Sequence, residues 1–344
     1  MFRRFLCLFL TLLAGLASAQ DPQMSQFYAA PLYLSPAFAG SALAPRAILN
    51  YRNQWPALNA NYVTSMLSVD HYIDRFNSGI GLLVVNDQQF SNLKSVSAAL
   101  QYSYQLKITE ELAARVGFEA AYVTRSTDFF RLTFGDQLSN RGVISPTTLD
   151  PVADLGPRIR YVDFSTGALV YDQRFWAGLS VHHLNRPNQA FAVNASDPLP
   201  MKITAHGGYK IPLADYEIGN NLGDQIGREK SVSFATLYKK QGKFDQLDLG
   251  AYLTYAPLTF GLWYRGIPIK QYDRGLNNHD AAVFLLGYRQ DNFSFGYSYD
   301  ATISSLGFAS GGSHEISLSY IFPYEPERRP PYRKRKRELS CPKF

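Results

Sequence analysis

The side chains best suited to chemistry are few, and their spacing works against it. His182 and His183 are adjacent in "SVHHLN". On a strand, successive side chains point to opposite faces, so the two imidazoles are not expected to close on one metal ion. No other His or Cys stands nearby at ligand spacing, which argues against a zinc-type site. Ser313 and His314 in "GSHEIS" diverge for the same reason, and no G-x-S-x-G nucleophile elbow occurs. The sequence therefore reads as non-enzymatic, without cofactor or metal.

Two further charged features remain. Arg115 and Glu119 in "LAARVGFEAAY" share one face of a predicted strand, where they could pair across an enclosed space with Asp163, Arg265 or Arg289. Such pairs either rigidify a filled interior or set the selectivity of a pore. The second feature is the C-terminal stretch "EPERRPPYRKRKRELSCPKF". The formal net charge of +6 resides in its last eighteen residues, eight basic (Arg328, Arg329, Arg333, Lys334, Arg335, Lys336, Arg337, Lys343) against two acidic. The basicity belongs to this tail and not to the body, so nucleic acid is not expected as a partner. Proline-broken and unable to bury a core, residues 324–344 are expected to be disordered in isolation. The tail either stays solvated or docks on an acidic periplasmic protein.

The elements that must carry these residues have period two, not 3.6. In "SVSAALQYSYQL", Val96, Ala98, Leu100, Tyr102, Tyr104 and Leu106 share one face, and Ser95, Ser97, Gln101, Ser103 and Gln105 share the other. "NFSFGYSYD" and "SHEISLSYIF" repeat the pattern. A soluble sandwich would put Lys and Glu on its wet faces. Here the polar face is Ser, Gly, Gln and Thr, in a chain with 14% aromatic and only 18% charged residues. That combination suits a barrel with apolar residues facing lipid and small polar residues facing inward. Fourteen segments of this kind are found between residues 47 and 322. The reading is an all-β, antiparallel transmembrane β-barrel of about fourteen strands over residues 46–323, lodged in outer-membrane lipid.

Several links between segments are short ("IDRFN", "KITEE", "YDQR", "AP", "QD"), and alternate ones, about 123–160, 184–202 and 266–280, are expected to be long. Short periplasmic turns and long outer loops produce such alternation. One pair breaks it: "PLADYEIGNNLGDQIGREK" is long and the next link, at "KQGK", is short, as if a turn were decorated or a strand miscounted. An even strand count places both termini in the periplasm. Residues 1–19 read as a secretory signal peptide, with Arg3 and Arg4, an apolar run and Ala17-Ser18-Ala19 as cleavage site. Its removal leaves Cys341 as the only cysteine, available for at most a mixed disulfide with a partner.

Residues 20–45 fit none of these patterns. "QDPQMSQFYAAPLYLSPAFAG" is too aromatic for a solvated linker and too proline-rich for a helix. Phe27, Tyr28, Tyr33 and Phe38, set between Pro31 and Pro36, need an apolar environment. A plug or collar at the periplasmic mouth or in the lumen supplies it.

This opening stretch resembles the N-terminal signature of the PorP/SprF family of type IX secretion system membrane proteins of the Bacteroidetes. Further similarity follows in order: "YRNQWP" at 51–56, "FFRLTFGDQ" at 129–137, "YVDFSTGALVY" at 161–171 and "WAGLSVHHLNRPNQAF" at 176–191. "HGGYKIP" at 206–212, "YKKQGKFDQLDLGAY" at 238–252, "GSHEISLSY" at 312–320 and the ending "CPKF" continue it. The family commonly has Asn where this chain has Ala30 and Ser35, each before a signature proline, so Asn-stabilised turns are in doubt there. The resemblance implies an integral outer-membrane barrel, not an enzyme, that works with type IX secretion components. It also implies a secreted or surface partner such as a large adhesin, including gliding adhesins for some members. Physics alone leaves a porin or transporter for small solutes open on the same fold.

Overall fold

In the computed structural model, residues 21–324 are described apart from 59–60, 90–92, 128–132, 134, 140–141, 149–157, 192–194, 214–228, 273–275 and 305–306. The signal segment and the basic tail, Arg328 to Arg337 included, lie outside the described residues.

The strands are β1 (Arg46–Gln54), β2 (Tyr62–Ile73), β3 (Ser78–Gln89), β4 (Leu93–Lys107), β5 (Ala113–Thr127), β6 (Leu138–Ser139), β7 (Gly142–Val143) and β8 (Arg158–Tyr171). They continue with β9 (Phe175–His182), β10 (Lys202–Pro212), β11 (Lys230–Gln241), β12 (Phe244–Tyr255), β13 (Leu258–Tyr272), β14 (Leu276–Gln290), β15 (Phe293–Thr302) and β16 (Ser313–Ile321). Strands β6 and β7 form a separate small hairpin, and the other fourteen form one closed antiparallel barrel. Closure comes from β1 against β16, in register from Arg46 opposite Ile321 to Gln54 opposite Ser313. No sheet edge is left along this seam, as a chain spanning lipid requires.

The wall is inside-out relative to a soluble protein. On β4, Leu100, Tyr102, Tyr104 and Leu106 are exposed, whereas Gln101, Ser103 and Gln105 are buried. On β16, Ile316, Leu318 and Tyr320 face out, and Ser313, Glu315 and Ser317 face in. Most strands match or exceed the ~9–11 residues that a tilted strand needs to cross a bilayer. Tyr104, Tyr209, Tyr255, Tyr288, Phe293 and Tyr320 are exposed near the same end of their strands. They form the kind of aromatic girdle found at a membrane interface.

That girdled end carries the links 74–77, 108–112, 172–174, 256–257 and 291–292 and is called here the turn end. At the opposite, loop end lie the connections 128–157, 183–201 and 303–312. One expectation is corrected, and one alternative left open is resolved in favour of a decorated turn. The expected loop at 266–280 is mostly strand, because β13 and β14 pair as far as Tyr272 and Leu276. Gly266 and Pro268 sit where the ladder shifts register, with Gly266 at φ +144°. A bulge absorbs the extra residues and tolerates the missing proline donor. The irregularity around 213–229 is no miscounted strand: β10 and β11 pair directly from Lys202–Gln241 to Pro212–Ser231, so the long link is at the turn end. Its counterpart at the loop end is the tight turn at Gly242 and Lys243.

Candidate functional site

A segment with three short helical turns cannot satisfy its own backbone, and this one occupies the place where unsatisfied groups cost most. Residues 27–29 and 36–38 form single 3-10 turns around one α turn, Pro31–Leu34. Pro31 and Pro36 each open a turn, where a missing N–H costs nothing. Ser35 caps the third turn, its Oγ accepting from Ala37 N at 3.3 Å, so the cap survives without asparagine.

The segment runs the height of the barrel inside the lumen, rather than resting at one mouth. Asp21 touches Lys202 and Gln241, which lie at the loop end. Gly40 packs on Tyr72 and Gly79, at the turn end, five residues before β1 begins. Between these points, inward side chains of the wall supply the hydrogen bonds that the irregular backbone lacks. Gln101 donates to Leu32 O at 2.8 Å, Ser180 to Leu34 O at 2.8 Å, Asn50 to Ala29 O at 3.0 Å and Ser103 to Ala39 O at 2.6 Å. Asp70 accepts from Gly40 N at 2.8 Å and is itself paired with Arg46.

The aromatic residues singled out by sequence fill the space between. Phe27 meets Trp263 edge-on at 5.0 Å, and Tyr28 meets Tyr252 at 5.2 Å. Tyr33 donates to Pro22 O at 2.6 Å, beneath the Lys202 ammonium. Phe38 stacks on His206 at 5.5 Å, and Pro31 and Pro36 are buried.

Of the polar anchors, only Arg265 was singled out by sequence, and as a partner for Glu119 or Arg115 instead of for the plug. The Ser25 hydroxyl receives Arg52 at 2.8 Å and Arg265 at 2.6 Å, and donates to Asp300 at 2.7 Å. Glu315 accepts the backbone N–H groups of Ser25 at 2.7 Å and Gln26 at 2.9 Å, while pairing with Arg52 at 3.2 Å. The Gln26 amide completes the set, donating to Ser298 and Glu315 O and accepting from Ser317. Every charge in this cluster has a partner of opposite sign, the condition under which buried ions are tolerated. The available signal was the sequence "MSQ" itself, polar residues inside an otherwise apolar segment.

The expected cross-lumen pairs of Arg115 and Glu119 take other partners. Arg115 is fully buried and donates to the carbonyls of Ala39 at 2.8 Å and Gly40 at 3.3 Å, with Tyr72 against its guanidinium face. Glu119 accepts from Gln101 and from Ser165, the latter at 3.0 Å. An arginine read as half of an ion pair is instead a clamp on the plug backbone.

The histidine pair also departs from expectation. β9 ends at His182 and His183 turns into the left-handed region at φ +61°, so both imidazoles are buried instead of facing opposite sides. His183 Nδ1 lies 2.7 Å from Asp163 and Nε2 lies 2.9 Å from Asp21, an arrangement that requires both nitrogens to carry protons. Burial alone would lower its pKa, but Asp21 and Asp163 raise it to about 9. Burial would likewise raise Asp21, yet Lys202 and His183 hold it well below the ordinary carboxylate value. Ser313 is buried, whereas His314 lies outward against Tyr297 and Tyr299.

Above the plug, at the loop end, a vestibule of about 540 Å³ remains. Asp21 to Leu34 contribute its floor, and Trp55, Leu237, Lys239, Phe244 and Asn278 stand in its wall.

Several solved barrels are similar in outline. The toluene transporter TbuX of Ralstonia pickettii aligns over 90% of this chain and 96% of its own, at 10% identity and a TM-score of 0.46. The CymD monoaromatic hydrocarbon channel aligns over 90% and 96%, at 14% identity and 0.42. Omp33 of Acinetobacter baumannii aligns over 82% and 100%, at 9% identity and 0.41. Likeness at this level carries no argument about function. No curated protein matches the chain. The sequence itself matches one family along nearly all of its length: over residues 16–320 it fits the type IX secretion system membrane protein PorP/SprF, and the chain belongs to that family.

Proposed function

We propose that this protein is a non-enzymatic outer-membrane component of type IX secretion that binds and positions an exported or surface partner, such as a large adhesin, without itself forming the conduit. The observation that carries this reading is the occupied lumen. The space a solute would cross is filled by residues 21–41, held from loop end to turn end by wall side chains. A small-solute porin needs a continuous polar path, and this plug stands across it. With short turns facing the periplasm, as is usual for such barrels, the connections 128–157 and 183–201 face outward toward the partner. β16 then ends on the periplasmic side and its tail, with Arg328, Arg329, Arg333, Lys334, Arg335, Lys336 and Arg337, would meet periplasmic secretion components, whereas Asp21, threaded up the lumen to the loop end, lies toward the outer mouth.

The test is a mild-detergent pull-down from the native outer membrane, with an affinity tag in the 183–201 connection, repeated with residues 327–344 deleted. Recovery of a secreted or surface protein together with type IX components is expected, with the periplasmic ones lost on truncation. A barrel recovered alone under both conditions would overturn the reading in favour of a porin.

A further inference from the structure

We propose that the outward face of β4, β5 and β8 at the loop end binds an outer-leaflet glycolipid through a phosphate monoester on its headgroup. Lys94, Arg158 and Arg160 take the phosphate, and the apolar wall below them takes the acyl chains. The secretion reading is not needed for this; register, charge and height carry it.

Lys94 stands opposite Ser126, and Ser126 opposite Arg158. In the next outward row Val96, Thr124 and Arg160 face one another in the same order. Neighbouring strands lie ~4.8 Å apart and alternate residues of one strand ~6.8 Å apart, so the three basic residues are rooted within about 12 Å of one another. All three are exposed, and Ser126 and Thr124 stand between them on β5.

This positive charge is not balanced from within the wall. The only acids of the three strands, Glu119 and Asp163, face the lumen, where Glu119 accepts from Gln101 and Ser165 and Asp163 meets His183. Arg125, which points inward, is engaged by Gln189. Lys94, Arg158 and Arg160 have no ion pair among the described residues. On β1 to β3 the outward polar residues at the same end are Asn53, Ser65, Asn86 and Gln88, all uncharged, so the charge is local to this arc. A phosphate monoester carries about −1.5 to −2 charge and three acceptor oxygens, which suits three cations better than a singly charged diester does. The guanidinium fork matches those oxygens in pairs, and the ammonium adds a point charge.

Height decides that the phosphate comes on a lipid. Tyr104, in the girdle at the turn end, is ten residues from Lys94 on β4. Ten residues span ~34 Å of strand, or ~26 Å of height at a tilt of ~40°, and the apolar band of such a barrel is ~25 Å tall. Lys94 and its neighbours therefore stand at the other edge of the band, at the level of the headgroups. Directly below them Tyr122, Val162, Leu100 and Phe164 are exposed, a surface for acyl chains. A free phosphate or an acidic protein has no use for that apolar continuation, whereas a lipid uses both parts. Because β5 ends at Thr127 and β8 begins at Arg158, the bound lipid braces the root of the 128–157 connection.

The experiment uses the mature barrel in detergent micelles and native mass spectrometry. The probes are monophosphoryl lipid A, the same lipid A with its phosphate removed, phosphatidylglycerol and inorganic phosphate. The phosphorylated lipid A is expected to bind about 10-fold more tightly than the dephosphorylated form, the effect of a charge-assisted contact. The double variant Arg158→Gln/Arg160→Gln should lose about the same factor. Lys240→Gln, at an exposed lysine of β11 at the same end but outside the patch, should lose nothing. Equal binding of the two forms of lipid A overturns the site, and that comparison needs no variant, so misfolding cannot hide the answer. An equal loss in Lys240→Gln would reveal general charge attraction and overturn the site as well. Phosphatidylglycerol binding as tightly as monophosphoryl lipid A overturns the choice of a monoester. Displacement of the bound lipid by inorganic phosphate at about 1 mM overturns the assignment to a lipid.

Discussion

The backbone N–H of Ser25 donates to Glu315 Oε2 at 2.7 Å, joining the start of the plug to the last strand across 290 positions of sequence. Because β16 closes the barrel on β1, this contact ties the plug to the seam. Its anchors should therefore report on the stability of the closed barrel.

Glu315→Ala removes the acceptor of two N–H groups and one partner of the buried Arg52. Breaking a buried ion pair from one side costs about 3–5 kcal/mol, so the temperature at which the barrel loses its compact gel mobility should fall sharply. Glu315→Gln keeps a carbonyl acceptor and should lose less. Equal midpoints for wild type and Ala variant would show that the cluster contributes nothing.

Gly117 has no room for a side chain. A Cβ there would come within 2.3 Å of Pro36 C and Ala37 N, which are backbone atoms and cannot swing aside. Gly117→Val should push residues 35–38 off the wall and raise ion conductance in planar bilayers, whereas Leu100→Val on the lipid face should not. A Gly117→Val barrel that folds and conducts no more than wild type would mean that the plug accommodates the clash elsewhere.

Much of this was legible in the sequence because period two is a local signal. Each of the fourteen barrel strands overlaps a segment that alternation alone picks out, and their polarity, as at Leu100 against Gln101, gives the inside-out sense. Strand ends were less legible, since a bulge at Gly266 and a break at His183 depend on neighbours that sequence does not display. The lumen was half legible. Phe27 and Tyr28 announce burial by their chemistry, but Ser25 and Gln26 look solvent-ready until Arg52, Arg265 and Glu315 are brought around them from strands hundreds of residues apart. Arg115 suggested an ion pair because carbonyl acceptors carry no mark in a sequence.

The end of the plug should respond to pH through Asp21 and His183. The groups facing His183 are Asp21 from the plug, Asp163 from β8, the neighbouring His182, and Lys202 from β10 through Asp21. A histidine raised from 6.5 to about 9 stabilises the folded contact fully below about pH 6.5, and that contribution is lost as pH rises through about 9. Asp21, held low, contributes above its ordinary value of 3.8 and loses that contribution as pH falls below it. Hydrogen exchange of residues 21–26 should therefore be slowest between about pH 4 and 6.5 and quicken progressively as pH rises from there to about 9, after correction for intrinsic exchange. His183→Gln should abolish that alkaline step, and an unchanged step would assign it to another group.

Phe27 tests whether the plug is a core or merely a cover. Its ring is 6% exposed and meets Trp263 edge-on at 5.0 Å, while Trp263 in turn meets Tyr252 at 5.3 Å. Trp263 also lies where a Cβ on Gly250 would fall, so the indole is pressed against the wall and cannot move outward to fill a void. Truncating a buried Phe costs about 3–5 kcal/mol when the surroundings cannot collapse. Phe27→Ala should accordingly lower the unfolding midpoint in urea with lipid present, and it should do so without opening the barrel to ions, because the backbone bonds from Ser25 and Gln26 to Glu315 remain. A destabilised but closed variant would separate the two roles of the segment, packing by its aromatic residues and sealing by its backbone. A stable variant that conducts would place the seal in the aromatic cluster and return the Glu315 contacts to a minor role.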